Sequence, residues 1–461
     1  MFDPQVYADR RARLRGRLDR GLVLLPGARP SPMNFAANAY PFVQDSSFSY
    51  LFGLIEPDLV GLVDLDSGQD VLFGDDIGLD AVIWHGPTST LAERAARARI
   101  DKTRTLADLA PALDAARRQG RPVHYLPPYR GEAVLQLAEL LDRPPAAVRA
   151  GASEALARAV LALREIKGPE EIAEMERACA VAGEMHRAAM AVARPGVFER
   201  EVVGEMEAVA RRLDWQCAYA SIFSKRGEVL HNPHHHLRLE AGDLVVNDSG
   251  VSSGLGYASD ITRTLPIGGR FTQRQRPVYE AVLSAQRAAI AAIAPGVRYL
   301  DVHRLAARVL VEHLAGLGLF RGDPAEVVET GAYAIAFQCG LGHQIGLDVH
   351  DMESFGEDLV GYDGQVGRSP LFGLSSLRLA KPLAAGMTVT VEPGVYFIPQ
   401  QIERWAAEGR FARLIDYDRF RACADFGGVR IEDDVLVTAT GARILGPPIP
   451  KSVEEVEAAM G

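Results

Sequence analysis

Four acidic residues stand in or beside apolar, strand-like stretches in the second half of this sequence. Asp248 ends the run "LVVNDSG", Asp260 opens "SDITRT", Glu392 follows "TVTV" and Glu432 lies in "VRIEDD". A carboxylate in apolar surroundings is costly unless it is paired, hydrogen-bonded or metal-bound. One such acid is most often a strand-end or turn residue, whereas four at matched places predict a shared site.

Four carboxylates in one cleft need counter-charge, because like charges in a low dielectric raise each other's pKa. Two divalent cations would supply it, and oxygen-rich ligation with one imidazole suits Mn²⁺, Co²⁺ or a similar ion. The segment "FQCGLGHQIGLDVHD", residues 337–351, offers His343 as the nitrogen donor. Its neighbours Gly342 and Gly346 would let the backbone approach the site closely. These residues predict a metal centre.

A faint internal repeat would bring the acids together. The stretch "ARPGVFEREVVGEMEAVARRL" begins at Ala193 and "IAPGVRYLDVHRLAARVLVEHL" begins at Ile293, and a long helical stretch precedes each Pro-Gly-Val. Strand-like runs follow both stretches in the same order. Chance similarity of two helix starts is the alternative, but the matching order of flanking elements favours duplication. We therefore expect two sheet halves around a pseudo-twofold axis, with a cleft between them.

The first part of the chain predicts a separate α/β domain. The runs "GLVLLPG" and "LVGLVDLDSGQDVLFGDD" are typical of strands with Gly/Asp turns, and "SEALARAVLALREI" is typical of a helix. Pro169 suits the first position of an Ala-rich helix that we expect to reach about Val192. The expected fold class is α/β (α+β), with a mixed α/β domain over residues 1–165 and a duplicated αββ catalytic domain over residues 166–461.

Composition excludes several functional classes. The chain has 461 residues, of which 48% are hydrophobic and 24% charged, as in soluble proteins of two or three domains. A net charge of −10 argues against a general nucleic-acid surface. No apolar stretch approaches the roughly 20 residues of a membrane span, and the N-terminal segment lacks the apolar core of a secretory signal. Four scattered cysteines favour free thiols and a cytoplasmic location.

The chain resembles the pita-bread metallopeptidases and, within them, the Xaa-Pro branch of aminopeptidase P and prolidase. The motifs that carry this resemblance are "NDSG…YASDITRT", "GLGHQIGLDVHD", "TVEPGVYF" and "GVRIEDD". It extends over essentially the whole chain, since "YPFVQDSSFSYLFGLIEPD" is similar to the N-terminal domain of that branch and "LREIKGPEEI" to its entry into the catalytic domain. The stretch "GLSSLRLAKPLAAGMTVTVEPGVYFI", with the insert through "FGGVRIEDD", looks especially like prolidase.

The resemblance implies two divalent metal ions, Mn²⁺ first and Co²⁺ or Zn²⁺ as alternatives. It implies five metal ligands: Asp248, Asp260, His343, Glu392 and Glu432. Asp260 and Glu432 would bridge the two ions. His231, in "VLHNPHHH", matches the family's histidine upstream of the first aspartate, and His350 matches the substrate-side histidine. Arg430 matches the arginine often found two residues before the last ligand.

The activity that follows is hydrolysis of the Xaa-Pro bond, in dipeptides or at the N-terminus of longer peptides. The metal ions would activate a water and polarise the carbonyl before proline. His350 would donate to the developing oxyanion, and Glu392 would take the water's proton and pass it to the departing nitrogen. Proline's ring fixes φ and its nitrogen carries no hydrogen, so the site needs a fitted pocket, with His231 as a candidate lining residue.

Alternatives stay open at this point. The insert over residues 398–426 favours prolidase and dipeptides, whereas the N-terminal stretch fits aminopeptidase P equally well, and a variant that releases a C-terminal residue is conceivable. The rival from another class is a non-hydrolytic binding module. Members that abandon metal chemistry, such as creatinase, lose ligand positions, and all five are retained here. The family also implies a homodimer or higher homo-oligomer that binds proline-containing peptides, whereas charge and hydropathy argue against a nucleic-acid or membrane partner.

Cys339 departs from the family pattern, which usually has histidine four residues before the metal histidine. We interpret it as a small buried residue in the place of that imidazole rather than as a low-pKa nucleophile. The stretch "GVSSG", residues 250–254, predicts a hairpin loop and not a serine nucleophile elbow. We expect Trp84 and Trp405 to be core or insert anchors, and His85 to be half-buried. The histidines interpreted as structural or surface groups are His124, His186, His303 and His313.

Overall fold

The computed structural model describes residues 1–461, and the chain divides into two compact units. The first comprises Met1–Arg164 with Met352–Gly356, and the second comprises Glu165–Asp351 with Glu357–Gly461. None of the helices combines the length and apolar character that crossing a membrane requires.

The first unit is built on a mixed sheet with helices around it. Its elements are α1 (Pro4–Arg15), β1 (Leu22–Pro26), α2 (Ser46–Phe52), β2 (Val60–Asp64), β3 (Asp70–Phe73), α3 (Leu79–His85), α4 (Leu91–Arg97), β4 (Lys102–Arg104), α5 (Leu109–Arg118), β5 (Val123–His124), α6 (Gly131–Leu141), α7 (Pro145–Ala150) and α8 (Glu154–Arg164). The strand order is β4-β3-β2-β1-β5, with β5 parallel to β1 and β4 parallel to β3. The strands and helix predicted in this region are confirmed.

The core of this unit lies between the sheet and helices α5 to α7. Leu24 and Leu62, which are paired across β1 and β2, pack with Leu113 of α5 and Leu137 of α6. The buried side of the N-terminal helix α1 is not simply apolar. Arg11 is fully buried and donates to the carbonyl oxygens of residues 51 and 98, each at 2.7 Å. Helix α1 is therefore anchored by hydrogen bonds as well as by apolar burial.

The second unit contains the strands that carry the acids. Its elements are α9 (Pro169–Val192), α10 (Glu199–Arg211), β6 (Gln216–Cys217), β7 (Ile222–Ser224), β8 (Leu244–Ser249), β9 (Val251–Ser252), β10 (Ile261–Pro266), α11 (Gln275–Ala292), α12 (Tyr299–Gly316), α13 (Pro324–Glu329), α14 (Glu357–Gly361), β11 (Thr388–Val391), β12 (Gly394–Tyr396), α15 (Pro399–Ala407), α16 (Tyr417–Arg421), β13 (Gly428–Arg430), β14 (Asp433–Val437), β15 (Ala442–Ile444) and α17 (Val453–Met460).

The predicted internal repeat is confirmed by the order and contacts of the elements. Helices α9 and α10 enclose one Pro-Gly-Val turn, and helices α11 and α12 enclose the other. Gly196 has φ +94° and Gly296 has φ +86°, a backbone region that favours glycine. The N–H of Gly196 donates to the carbonyl of Leu239 and that of Gly296 to the carbonyl of Leu383, each at 2.8 Å. The two turns are therefore anchored in equivalent ways.

The paired strands of the two repeats also correspond. Strands β8 and β10 form an antiparallel pair in the first repeat, and β11 and β14 form one in the second. An isolated antiparallel bridge between Thr262 and Glu432 links the two repeats. Only one of the four acids lies inside a strand; the other three stand just before β10, after β11 and before β14, where the ladder is interrupted.

The two tryptophan expectations have different outcomes. Trp405 of α15 is buried, with 3% exposure, as predicted. The expectation for Trp84 is wrong, because this side chain on the short helix α3 is 82% exposed. His85, expected to be half-buried, is exposed as well. The "GVSSG" stretch forms β9 and the turn after it, as predicted, with no helix following.

Candidate metal centre

The four acids occupy matched positions in the two repeats. Asp248 lies near the end of β8 and Glu392 directly follows β11, the equivalent strand. Asp260 directly precedes β10, and Glu432 directly precedes β14. Three of the four acids lie just outside a strand, so their side chains can converge without breaking the sheets. The duplicated fold therefore presents two acids from each half to one place.

Three of the expected ligands form a tight, buried cluster. Atoms of Asp260, His343 and Glu432 that could bind a metal all lie within 4.8 Å of one another. The three residues are 6%, 3% and 1% exposed. Nε2 of His343 lies 3.4 Å from Oδ2 of Asp260 and 3.6 Å from Oε1 of Glu392. Glu392 therefore adjoins the cluster from the second repeat.

Asp248 is tied to the cluster through its neighbours. The hydroxyl of Tyr219 lies 2.6 Å from Oδ1 of Asp248 and 2.5 Å from Oδ1 of Asp260. A hydroxyl has one hydrogen and can donate to only one carboxylate at a time. Arg430 donates to the other oxygen of Asp248, and its Nη1 donates to the hydroxyl of Tyr396 at 2.8 Å. The structure thus brings Asp248 and Arg430 to the same site.

The backbone around His343 is arranged to present one ring nitrogen. Nδ1 lies 3.0 Å from the carbonyl of Gln344, which can only accept, so Nδ1 carries a proton and Nε2 is the nitrogen left to bind a metal once it is deprotonated. The N–H of His343 donates to Oγ1 of Thr390 at 3.0 Å. A Cβ on Gly342 would come within 2.2 Å of the Thr390 carbonyl oxygen. The close approach expected of Gly342 is confirmed.

Gly346 has a different neighbour from the one expected. A Cβ there would come within 2.5 Å of Oδ2 of Asp351, which forms a buried ion pair with Lys167 at 2.9 Å. This ion pair holds the end of the turn that carries His350. The ring of His350 stacks on the ring of His343, with centroids 3.9 Å apart and planes at 12°. His350 therefore lies beside the cluster, as the resemblance implied.

Burial and mutual repulsion perturb the pKa values of the site. Burial raises the pKa of Glu392 to about 7. Burial also raises the pKa of Glu432 well above its ordinary range, and the charges of Asp260 and Glu392 add to this rise. Burial alone would lower the pKa of His343, but its contacts with Asp260 and Glu392 raise it to about 9. The cluster holds more negative charge than its own cations balance.

The donor set fits a divalent cation. Oε1 of Glu432 is buried and has no hydrogen-bond partner, while Oε2 accepts from Oγ1 of Thr262 at 2.6 Å. Nε2 of His343, which a metal ion would deprotonate on binding, faces buried carboxylate oxygens, and oxygen-rich sets with one imidazole suit ions such as Mn²⁺. A bound cation would also offset the repulsion that raises these carboxyl pKa values.

Two other expected features are less closely tied to the cluster. His231 lies in an exposed turn and makes no hydrogen bond or ion pair with the acids, so its role stays a prediction. Cys339 is half-buried rather than buried, with Sγ 4.0 Å from the hydroxyl of Tyr396. Burial and the charge of Glu392 raise its pKa to about 12, which supports its interpretation as a protonated thiol.

Several site residues have no counterpart in the sequence analysis. Tyr219 stands 29 residues before Asp248, and no pattern relates the two. Thr262 of β10 donates to Glu432, and no motif in the sequence indicates this contact. Asp434 accepts from the N–H of Asp260 at 3.0 Å and is buried. The second aspartate of "EDD" was the one available signal for Asp434, since an acid inside an apolar strand predicts a specific partner.

Comparison with known families agrees with this geometry. The family model for "Metallopeptidase family M24" matches residues 173–439, and the model for "Aminopeptidase P, N-terminal domain" matches residues 7–124. The chain is 29% identical to the Xaa-Pro dipeptidase of Homo sapiens, across 95% of this chain and 88% of the human protein. It is 32% identical to the Xaa-Pro aminopeptidase of Escherichia coli strain K12, across 99% of this chain and 97% of that protein.

Solved structures of similar proteins cover the whole chain. Escherichia coli aminopeptidase P in complex with substrate superposes with a TM-score of 0.81 at 29% identity, covering 100% of this chain and 98% of that one. A Zn-substituted form of the same protein in complex with product gives a TM-score of 0.80 at 29% identity, with coverage of 99% and 98%. The resemblance seen in the motifs and the expected fold class are confirmed. The chain belongs to metallopeptidase family M24, in its Xaa-Pro branch.

Proposed function

We propose that this protein hydrolyses the peptide bond before proline, in Xaa-Pro dipeptides or at the N-terminus of longer peptides. The observation that carries the proposal is the convergence of acids from both repeats on one imidazole, with Asp260, His343 and Glu432 within 4.8 Å. The names of the relatives, Xaa-Pro dipeptidase and Xaa-Pro aminopeptidase, support the substrate class. A non-hydrolytic binding module is not favoured, because none of the expected ligands is missing.

The metal centre that we propose holds two divalent ions, with Mn²⁺ as the first candidate. Its ligands would be Asp248, Asp260, His343, Glu392 and Glu432. When bound, the ions would supply an activated water and a Lewis acid for the scissile carbonyl. Asp260 and Glu432 would be shared by the two ions, as the resemblance implies, and they come from different repeats.

The protein's own groups would handle the protons. Glu392 has a side chain that is 20% exposed and a pKa raised by burial to about 7, so it can accept a proton near neutral pH and return it to the leaving nitrogen. His350, stacked on His343, would donate a hydrogen bond to the developing oxyanion. Burial raises the pKa of Asp248, and the charge-assisted hydrogen bond from Arg430 would oppose that rise and hold the carboxylate in place.

Three further features of the proposal extend the sequence analysis. We propose residues 1–165 and 166–461 as the two domains. The protein would act as a homodimer or higher homo-oligomer, as the resemblance implies. All four cysteines are free, which supports the cytoplasmic location predicted from their spacing.

A peptide panel tests the substrate class and separates the two enzyme types. We expect an Xaa-Pro dipeptide, an Xaa-Pro-Xaa tripeptide or both to be cleaved before proline in the presence of Mn²⁺. The matched Xaa-Ala peptides should be cleaved at least about 100-fold more slowly, because the site that we propose would fit the proline ring. The dipeptide-to-tripeptide ratio of kcat/KM separates prolidase-like from aminopeptidase-like activity. Equal cleavage of the Ala and Pro peptides, or release of only the C-terminal residue from the tripeptide, would contradict the proposal.

A further inference from the structure

The first helix of each repeat carries a buried polar side chain at the same position. The segments "HRAAMAVARPGV", residues 186–197, and "QRAAIAAIAPGV", residues 286–297, align without a gap. His186 of α9 therefore corresponds to Gln286 of α11. Both residues are 0% exposed. A buried polar group is costly unless it is hydrogen-bonded, so the partners of these two side chains indicate what they do.

His186 binds the backbone of the two strands of its repeat. Its Nε2 lies 3.1 Å from the carbonyl oxygen of Ile261 and 3.3 Å from that of Ser249. Carbonyl oxygens only accept, so Nε2 carries the proton, and Nδ1 accepts from the side-chain amide of Asn247 at 3.1 Å. Ile261 and Ser249 are the residues that directly follow the two aspartates of the cluster. One imidazole therefore ties the two aspartate positions together.

The charge state of His186 agrees with this hydrogen bonding. Burial, with the nearby charge of Arg263, lowers its pKa to about 3, so the ring is neutral. A neutral imidazole has one donor and one acceptor, and both are used here. The ring thus has a single preferred orientation.

Gln286 makes the corresponding contact in the second repeat. Its Nε2 donates to Oδ2 of Asp433 at 2.6 Å, and its Oε1 accepts from Nζ of Lys451 at 3.1 Å. Asp433 directly follows Glu432 and also accepts from Arg263 at 2.7 Å. The same arginine donates to the carbonyl oxygen of Glu432 at 2.7 Å. Gln286 therefore supports the residue behind the acid that corresponds to Asp260.

We propose that His186 and Gln286 are a symmetry-related pair of positioning residues that fix the spacing of the metal-ligating carboxylates. Each comes from the first helix of its repeat and holds the residue that follows a proposed bridging ligand. They act through β10 and β14 and do not themselves touch the cluster. The inference rests on the ligand set of the proposed function. Outer contacts of this kind typically change metal affinity about 10- to 100-fold when removed.

Calorimetric titration of Mn²⁺ into chelator-treated protein tests this pair. His186→Leu removes the hydrogen bonds to both strands, and Gln286→Leu removes the one to Asp433. We expect each to weaken Mn²⁺ binding about 10-fold or more. His186→Gln installs the side chain that the second repeat uses and keeps an N–H donor, so we expect its Mn²⁺ affinity to stay within about threefold of the wild type.

A matched control separates positioning from general stability. His303 of α12 is also 0% exposed, and its Nε2 lies 2.9 Å from the hydroxyl of Tyr333 rather than at a ligand strand. His303→Leu should lower the melting temperature as much as His186→Leu does, yet leave Mn²⁺ affinity unchanged. The melting temperatures are measured on the same metal-free samples.

Each outcome decides the question. Wild-type Mn²⁺ affinity in either leucine variant overturns the inference of a symmetry-related pair, and so does an equal loss of affinity in His303→Leu. If His186→Leu does not fold, Gln286→Leu and His186→Gln decide by the same criteria. If the wild type itself binds no Mn²⁺, the proposed metal centre fails and the inference fails with it. If the wild type binds Mn²⁺ and the variants bind it equally well, only the inference fails.

Discussion

At the scale of single residues, Glu392 combines two properties that a proton-transferring group needs. Its side chain is 20% exposed, the most open of the acids in contact with His343, and burial raises its pKa to about 7. A group whose pKa lies near the working pH can both accept and return a proton. Asp260 has a lowered pKa: burial would raise it, but the hydrogen bond and charge of His343, with the hydrogen bond from Tyr219, together outweigh burial. The two acids are therefore suited to different tasks.

Replacement of Glu392 tests this assignment. Glu392→Gln keeps the size of the side chain but removes the carboxylate, so we expect kcat on an Xaa-Pro dipeptide to fall by about 10²- to 10⁴-fold. Circular dichroism and the melting temperature of the metal-free protein should stay close to those of the wild type. Near-wild-type turnover in Glu392→Gln would rule out the proposed role.

Cys339 allows a second test at the residue scale. Its pKa, raised by burial to about 12, keeps the thiol protonated, and its Sγ lies 4.0 Å from the hydroxyl of Tyr396. Cys339→His restores the residue usual in the family. We expect kcat/KM on Xaa-Pro peptides to rise about 2- to 10-fold, the value of one added hydrogen bond, with the bound metal per chain unchanged. A change in metal content by elemental analysis would contradict this interpretation.

At the scale of elements, the local sequence pattern was sufficient to predict helices and strands where apolar residues follow the period of the element. The helix predicted from Pro169 to about Val192 is α9, Pro169–Val192, and the strands beside all four acids occur where apolar runs predicted them. Contacts between side chains that are far apart in the chain could not be predicted from local sequence patterns. Tyr219 and His186 are recognisable only once β8 and β10 are paired, because their partners lie many residues away in the chain.

A buried histidine on helix α12 predicts that the stability of the protein depends on pH. Burial lowers the pKa of His303 on α12 from 6.5 to about 3. Below pH 6.5 the unfolded chain binds a proton that the folded chain does not, so stability is lost as pH falls from 6.5 toward 3. Between pH 7 and pH 5 this group should cost about 2 kcal/mol of unfolding free energy.

Urea unfolding of the metal-free protein measures this effect. We expect His303→Leu to lose about 2 kcal/mol less than the wild type on going from pH 7 to pH 5, whatever its stability at pH 7. Comparison of the two proteins cancels the titration of all other groups. An equal loss in both would mean that His303 is protonated in the folded state.

At the scale of the whole molecule, duplication explains why one site needs both halves of the second unit. Each repeat supplies a helix pair, a glycine turn and two strands, and each of these strands has one acid at or near an end. Neither repeat alone supplies the full ligand set. The sequence indicated this through the Pro-Gly-Val triplets and the matched acids. It could not indicate the exposure of Trp84, because a single apolar residue on a short helix carries no periodic signal. The extent of the two domains stays a prediction.

Anomalous diffraction from crystals of the wild-type protein soaked in Mn²⁺ tests the central claim most directly. We expect two anomalous peaks, each within about 2.0–2.4 Å of carboxylate oxygens from both repeats, with Asp260 and Glu432 contacting both peaks and His343 one. Crystals soaked with Mg²⁺ alone provide the background map. A single peak held by one repeat, or peaks only at sites away from Asp260 and Glu432, would contradict the account.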